Sequence, residues 1–460
     1  MRPVFADPAA VSRPIYLVAQ DQLPKLLDAQ ADAARAWLTQ CGFKAKLGET
    51  ALLPGAGGIS AAIVGRGTEN ARARTRFGLA KAATTLPAGD WHFQGTLDPA
   101  ERDEAALGWL LSQYRFDRYR KPKDTPLTRL KAPAGCDVAR LLAMAEGEFL
   151  TRDLINTPAA DMGPEELEAA FVALAERFKA TTNVIRGDDL LKQNFPMVHA
   201  VGRASPRAPR IMSLRWGKKG PLITLVGKGV CFDTGGLDLK PSANMLQMKK
   251  DMGGAATVMG LAQMIMTLKL PVRLRVIVPA VENVVSGNAL RPRDILTSRK
   301  GLTVEVNNTD AEGRLILGDA LAWASEEKPD LLISMATLTG AARVAVGPDL
   351  APYFSGDDSF AQALEAAAGP ACDPVWRLPF WDPYETLIEP GIADLDNAPS
   401  GGFAGAITAA LFLRRFTDSP RYMHFDIFGH QASDAPARPK GGAGQGARAI
   451  LGALPAMLGI

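Results

Sequence analysis

Asn308-Thr309-Asp310-Ala311-Glu312-Gly313-Arg314-Leu315 sets two carboxylates two residues apart, with an arginine two further on. The flanks decide how the stretch is read. Residues 302–306, Leu-Thr-Val-Glu-Val, alternate as a strand does, and residues 316–324 are mostly apolar and fit a buried helix. The charges therefore fall on a strand-to-helix junction inside the fold, where open α/β sheets carry their sites. Buried carboxylates are costly unless something pairs with them. Metal binding is one way to stabilise such a group.

A second stretch has the same character. Residues 225–240 read Leu-Val-Gly-Lys-Gly-Val-Cys-Phe-Asp-Thr-Gly-Gly-Leu-Asp-Leu-Lys, directly after a buried-strand pattern at 222–226. Their glycines permit tight backbone beside a ligand. Met248-Lys249-Lys250-Asp251-Met252-Gly253-Gly254-Ala255-Ala256 then opens a helix of small residues and methionine. Further strand patterns at 182–184, 210–216, 273–278, 331–335 and 421–427 alternate with helical runs. The fold class expected is α/β with a mostly parallel central sheet.

The 460 residues exceed the usual size of one core, so two domains are expected. Residues 1–130 read as a small N-terminal accessory α/β domain, with strands at 14–19 and 60–65 and helices at 23–41, 72–84 and 105–119. Residues 131–160 read as linker and linker helix, following a proline-marked boundary that begins at Pro122. Residues 161–460 read as the catalytic domain. A net charge of +3 is too small to call for nucleic acid or a membrane surface, so the basic, aromatic run at 115–123 reads as a solvated helix end. Four scattered cysteines show no disulfide framework, and no apolar leader opens the chain, so a cytoplasmic setting is expected. With four histidines, any metal site here must be rich in carboxylates.

Together these stretches resemble the leucyl aminopeptidase family, two-metal exopeptidases with an NTDAEGRL signature. The signature is complete here, and VGKG, FDTGG, a lysine and DMGGAA precede it in the family's order. The resemblance covers most of residues 136–460. It implies two divalent ions per chain, zinc, manganese or cobalt. One would sit on Lys228, Asp233, Asp251 and Glu312, the other on Asp233, Asp310 and Glu312. Four carboxylate charges would balance two such cations. It also implies a hydroxide bridging the two metals as nucleophile, and peptide substrates with a free N-terminus. Lys240 would hold the oxyanion and Arg314 a bicarbonate acting as general base, with backbone amides of Gly313 and Leu338. Met248, Thr337 and Gly340 would line a pocket for leucine-like side chains, and the chain would form a homo-oligomer, a hexamer.

Lys228 is the unusual member, because lysine ligates metal only as the neutral amine. From the residues alone it reads as a partner of phosphate or carboxylate. Asp238 reads as an acid at the surface or behind the site, Glu282 and Asn283 as supports behind it, Asp319 as a structurally paired helix residue, and His424 and His430 as structural. Lys249 and Lys250 read as solvated. The segment at 440–448 departs from the family's K-G-x-x-G-R-P, with Gln445 and Gly446 in place of arginine and proline. Two other readings compete: another carboxylate-bridged dimetal hydrolase, such as a phosphoesterase, and a non-catalytic protein that reuses the fold.

Overall fold

The computed structural model describes residues 2–120 and 127–460. Residues 121–126, which hold Pro122 and the end of the basic aromatic run, lie outside the described residues. The chain divides into two compact units, Met1–Phe149 with Ala432–Lys440, and Leu150–Gln431 with Gly441–Ile460. The division falls inside the helix Val138–Asn156. The segment Ala432–Lys440 groups with the first unit, although the sequence placed it in the second domain.

The first unit holds a five-stranded sheet of β1 (Arg13–Ala19), β2 (Thr50–Gly55), β3 (Gly58–Gly67), β4 (Gly89–Gln94) and β5 (Thr128–Leu130), in the order β2-β3-β1-β4-β5. Only β2 and β3 pair antiparallel. Helices here are shorter than the apolar spacing suggests. The run at 23–41 breaks into Leu23–Asp28 and Asp32–Gln40. The run at 72–84 is interrupted at Phe77, which takes a left-handed φ of 58°. The third helix is Pro99–Leu111, begun by Asp98, whose side chain accepts the amide of Glu101.

The second unit carries the longer sheet. Its strands are β6 (Thr181–Arg186), β7 (Arg210–Trp216), β8 (Leu222–Gly227), β9 (Gly229–Asp233) and β10 (Arg273–Asn283). The short β11 (Ile295–Thr297) and β12 (Thr303–Glu305) lie apart, pairing with each other and with β16 (Leu395–Asp396). The long sheet is completed by β13 (Leu331–Ala336), β14 (Ala351–Ser355), β15 (Val375–Leu378) and β17 (Tyr422–Asp426). Its order is β15-β14-β17-β13-β8-β10-β7-β6, with β9 continuing alongside β10. The central pairs β17–β13, β13–β8, β8–β10 and β9–β10 are parallel; β6–β7, β7–β10 and β14–β17 are antiparallel. This is the mostly parallel sheet expected.

Parallel strands buried on both faces need continuous apolar sequence. Leu222–Gly227 and Leu331–Ala336 are buried throughout. The helix Glu312–Ser325 follows the signature turn and sinks Leu315, Ile316, Leu317 and Leu321 into the core with no exposed surface. Each such side chain contributes about 1.5–3 kcal/mol on burial. That packing fixes the helix start, and with it Glu312, relative to the ends of β8 and β13. Among the described residues, no helix is long and apolar enough to cross a membrane.

Candidate metal centre

Three chain segments meet where the parallel strands end. Lys228 follows β8, Asp233 ends β9, and Asp310 and Glu312 sit on the turn that opens the helix Glu312–Ser325. Asp251 precedes the helix Gly253–Thr267. The turn is shaped locally: Asn308 Oδ1 accepts the amide of Asp310 at 2.8 Å. Thr309 then locks it to the glycine loop, its hydroxyl donating to the carbonyl of Gly235 at 2.7 Å and its amide donating to Asp238 at 2.7 Å. Gly235 adopts φ +89°, and a Cβ there would stand 2.4 Å from the carbonyl oxygen of Asp238. Gly313 is required by close approach instead. A Cβ on it would lie 2.5 Å from Cε of Lys228.

The carboxylates converge. Oxygens of Asp233, Asp310 and Glu312 lie within 4.8 Å of one another. Lys228 Nζ is 2.7 Å from Asp251 Oδ2, 3.0 Å from Glu312 Oε1, and donates to the carbonyl of Thr337 at 3.0 Å. Lys240 Nζ is 2.9 Å from Asp233 Oδ2 and pairs also with Asp310. Asn283 donates to Asp233 Oδ1 at 2.9 Å and to the carbonyl of Thr309 at 3.0 Å. It thus stands behind the site, as read from the sequence. Glu282 does not; it accepts from Ser205 at 2.6 Å. Thr337 donates to Asp251 Oδ1 at 2.8 Å.

Four buried or half-buried acids share two ammonium groups, and the imbalance is visible in their acidity. Burial, then repulsion from Asp233, pushes Asp310 up to about 6 and Glu312 well above the carboxylate range. Asp251 is raised by burial, against the pull of Lys228. Burial would lower Lys228, but Asp251, Glu312 and Asp233 outweigh it and raise the ammonium; Asp233 and Asp310 do the same to Lys240. Asp251 Oδ2 and Glu312 Oε1 are buried with an ion-pair partner and no hydrogen bond of good geometry. An oxygen-rich group with spare lone pairs, gathered within one coordination span, fits hard or borderline divalent cations.

A cavity of about 440 Å³ opens on the cluster, lined by Lys228, Asp233, Lys240, Asp251 and Asp310. Met248, Thr337, Leu338 and Gly340 also line it. Gly313 and Arg314 are not among its lining residues. Arg314 is buried, donates to the carbonyl of Asn397, and keeps Nε without a hydrogen-bond partner. Burial lowers it to about 10. Leu338 needs a correction: its amide, expected to serve an anion, donates to Asp426 Oδ1 at 2.9 Å, and Thr339 adds a second amide at 3.0 Å. A buried carboxylate needs donors, and Asp426 takes the Thr339 hydroxyl as well as these two amides.

Lys250 is the second correction. It is 9% exposed, lines the cavity, and holds Nζ 4.8 Å from the centre of the Phe428 ring. A short 3₁₀ turn, Met248–Lys250, turns it inward where a solvated helix start had been expected. His424 is structural as read, fully buried with Nδ1 2.8 Å from the Ser334 hydroxyl, and burial drops it to about 3. Asn397 escaped sequence reading. Its Oδ1 accepts the amides of Asn307 at 2.8 Å and Asn308 at 3.2 Å, and its Nδ2 donates to the carbonyl of Asn308 at 2.7 Å. It braces the signature from about ninety residues away, and no local pattern marks it.

Comparison with known proteins follows the same lines. The catalytic domain of the cytosol aminopeptidase family matches residues 149–451, and the M17 aminopeptidase N-terminal domain matches residues 13–133. A curated relative from Roseiflexus castenholzii, named "Probable cytosol aminopeptidase", is 40% identical over 365 residues, 75% of each chain. The crystal structure of a cytosol aminopeptidase from Coxiella burnetii superposes with a TM-score of 0.92 at 42% identity, covering 98% of both chains. The bottromycin maturation enzyme BotP, solved in complex with Mn, gives 0.86 at 32% identity, over 97% of this chain and 99% of that one. The chain therefore belongs to the cytosol aminopeptidase family of metal-dependent aminopeptidases.

Proposed function

We propose that residues 161–460 form a dimetal catalytic domain that removes the N-terminal residue of peptides. One observation carries this reading: Asp233, Asp310 and Glu312 converge beside a cavity, Asp251 joins them through Lys228, and two lysines supply the counter-charge. Two divalent cations would be held there, one by Lys228, Asp233, Asp251 and Glu312, the other by Asp233, Asp310 and Glu312. Manganese, zinc and cobalt suit this donor set. When bound, the cations supply Lewis acidity, polarising a carbonyl and lowering the pKa of water.

The chain's own groups do the rest. Lys228 would serve as a ligand only as its neutral amine, and its tight seat over Gly313 keeps it aimed at the cluster. Asn283 and Thr337 fix the rotamers of Asp233 and Asp251. Lys240, which lines the cavity and pairs with Asp233 and Asp310, would donate to the developing oxyanion. Arg314, with a buried donor unspent, is suited to hold an anion such as bicarbonate, which when bound supplies a general base. Assembly as a hexamer in the cytoplasm belongs to the same reading; light scattering at one chain mass would refute the hexamer.

A free α-amine is central to this proposal, because it is what confines such a site to the first residue. Metal-loaded protein is expected to cleave a tripeptide and to leave its N-acetyl form intact. Equal rates on the two would show endopeptidase action and overturn the reading.

A further inference from the structure

Beside the acid cluster, the cavity is also lined by two cationic side chains. Lys250 and Arg343 meet the same aromatic ring, with Lys250 Nζ and Arg343 Cζ each 4.8 Å from the centroid of Phe428. Both residues line the cavity. Among the described residues, neither side chain has an ion pair or hydrogen bond. For an exposed arginine that is ordinary; for Lys250, 9% exposed, it is not. A buried ammonium is costly unless it meets an acceptor. The backbone that carries this ring is held by Gln445, whose Oε1 accepts the amides of Phe428 at 2.8 Å and Gly429 at 3.0 Å, and whose Nε2 donates to the carbonyl of Pro348 at 2.9 Å. Gln445 is one of the two positions where this chain departs from the family pattern.

We infer that the cavity selects peptides whose N-terminal residue is aspartate or glutamate, with Lys250 as the specificity-determining residue and Arg343 supporting it. This rests on the aminopeptidase reading and replaces the leucine-like preference expected from Met248.

Position favours the side chain of the first residue over other carboxylates. Lys250 directly precedes Asp251, so their Cα atoms are about 3.8 Å apart. The ammonium therefore stands within one side chain's reach of the cluster that would bind the α-amine. Charge favours it too. The two acids that act on Lys250 are already engaged, Asp251 by Lys228 and Thr337 and Asp426 by the amides of Leu338 and Thr339 and the Thr339 hydroxyl. A leucine side chain there would seal an unpaired ammonium against methyl groups, whereas a carboxylate pairs with it. Phe428 and Met248 can pack on the methylenes between.

The test uses metal-loaded, full-length enzyme with glutamyl, aspartyl and leucyl p-nitroanilides, which lack a C-terminal carboxylate. Glutamyl or aspartyl substrate is expected to exceed leucyl in kcat/KM by about tenfold or more. Lys250→Met should lower that ratio by about 10- to 100-fold, as loss of a charged hydrogen bond does. Arg343→Gln, at an exposed position that tolerates change, should lower it by a smaller factor. Product binding supplies a readout besides turnover: by calorimetry, L-glutamate or L-aspartate should bind more tightly than L-leucine, and Lys250→Met should erase the difference.

Leucyl substrate preferred by the wild type, or a ratio unmoved by both variants, would overturn the inference alone. Cleavage of none of the three would overturn the aminopeptidase reading and this inference with it. Leu-Gly and Leu-Gly amide separate the remaining source of a carboxylate. If Lys250→Met impairs only Leu-Gly and spares the acidic p-nitroanilides, the ammonium serves the peptide's C-terminus and the inference is wrong.

Discussion

Glu312 and Asp319 stand two turns apart on one helix, both buried, and they are met in opposite ways. Asp319 receives three backbone amides, from Met197 at 2.8 Å, Val198 at 3.2 Å and Arg299 at 2.8 Å. Glu312 faces Asp233, Asp251 and Asp310, with Lys228 and a long contact to Asn283 as relief. Burial raises both acids, but three amides hold Asp319 to about 7, while Asp233, Asp251 and Asp310 push Glu312 further up than Lys228 can offset. A buried carboxylate matched by fixed donors is part of the scaffold. One matched by other carboxylates holds a place for a ligand. A shared helix with two kinds of compensation thus separates structure from function without reference to any relative.

The sharpest way to break the comparison is Glu312→Gln. Activity should fall below detection and metal binding should drop under two ions per chain. In chelator, the variant should unfold at no lower urea than the wild type, because a repelled charge has gone. A variant that keeps its metals and its rate would make Glu312 scaffold like Asp319. Lys240→Ala should come next, lowering kcat by about 10²–10³ with both metals retained; loss of an ion on metal analysis would make Lys240 a structural support of the acids. Asp319→Ala should cost about 2–3 kcal/mol in urea unfolding, since it strands buried amides. Its metal content should stay normal, and an ion lost there would erase the distinction drawn above.

Much of this site was legible in the sequence because its residues cluster along the chain. Lys228, Asp233 and Lys240 fall within one loop region, Asp310, Glu312 and Arg314 within one turn, and strand and helix patterns on either side show that both are buried. The parts that stayed hidden depend on distant or geometric facts. Asn397 reaches the turn from the end of β16, and nothing near it in sequence points to Asn308. Lys250 reads as solvated because lysine usually is; only the 3₁₀ turn shows which way it faces. Leu338 offered an amide on paper, but Asp426, on a strand 88 residues later, takes it. In the first unit, helical spacing at 72–84 is overridden by the left-handed Phe77, a backbone choice that side-chain periodicity does not reveal.

Metal content set against peptide cleavage tests the central claim most directly. The full chain is stripped with a strong chelator, then reloaded with Mn²⁺ or Zn²⁺, and at each stage bound ions per chain and release of the free N-terminal residue are measured. The four acids around one point predict two ions per chain when loaded, no cleavage when stripped, and cleavage restored in step with ion binding. Undiminished cleavage by protein holding no metal would contradict the account.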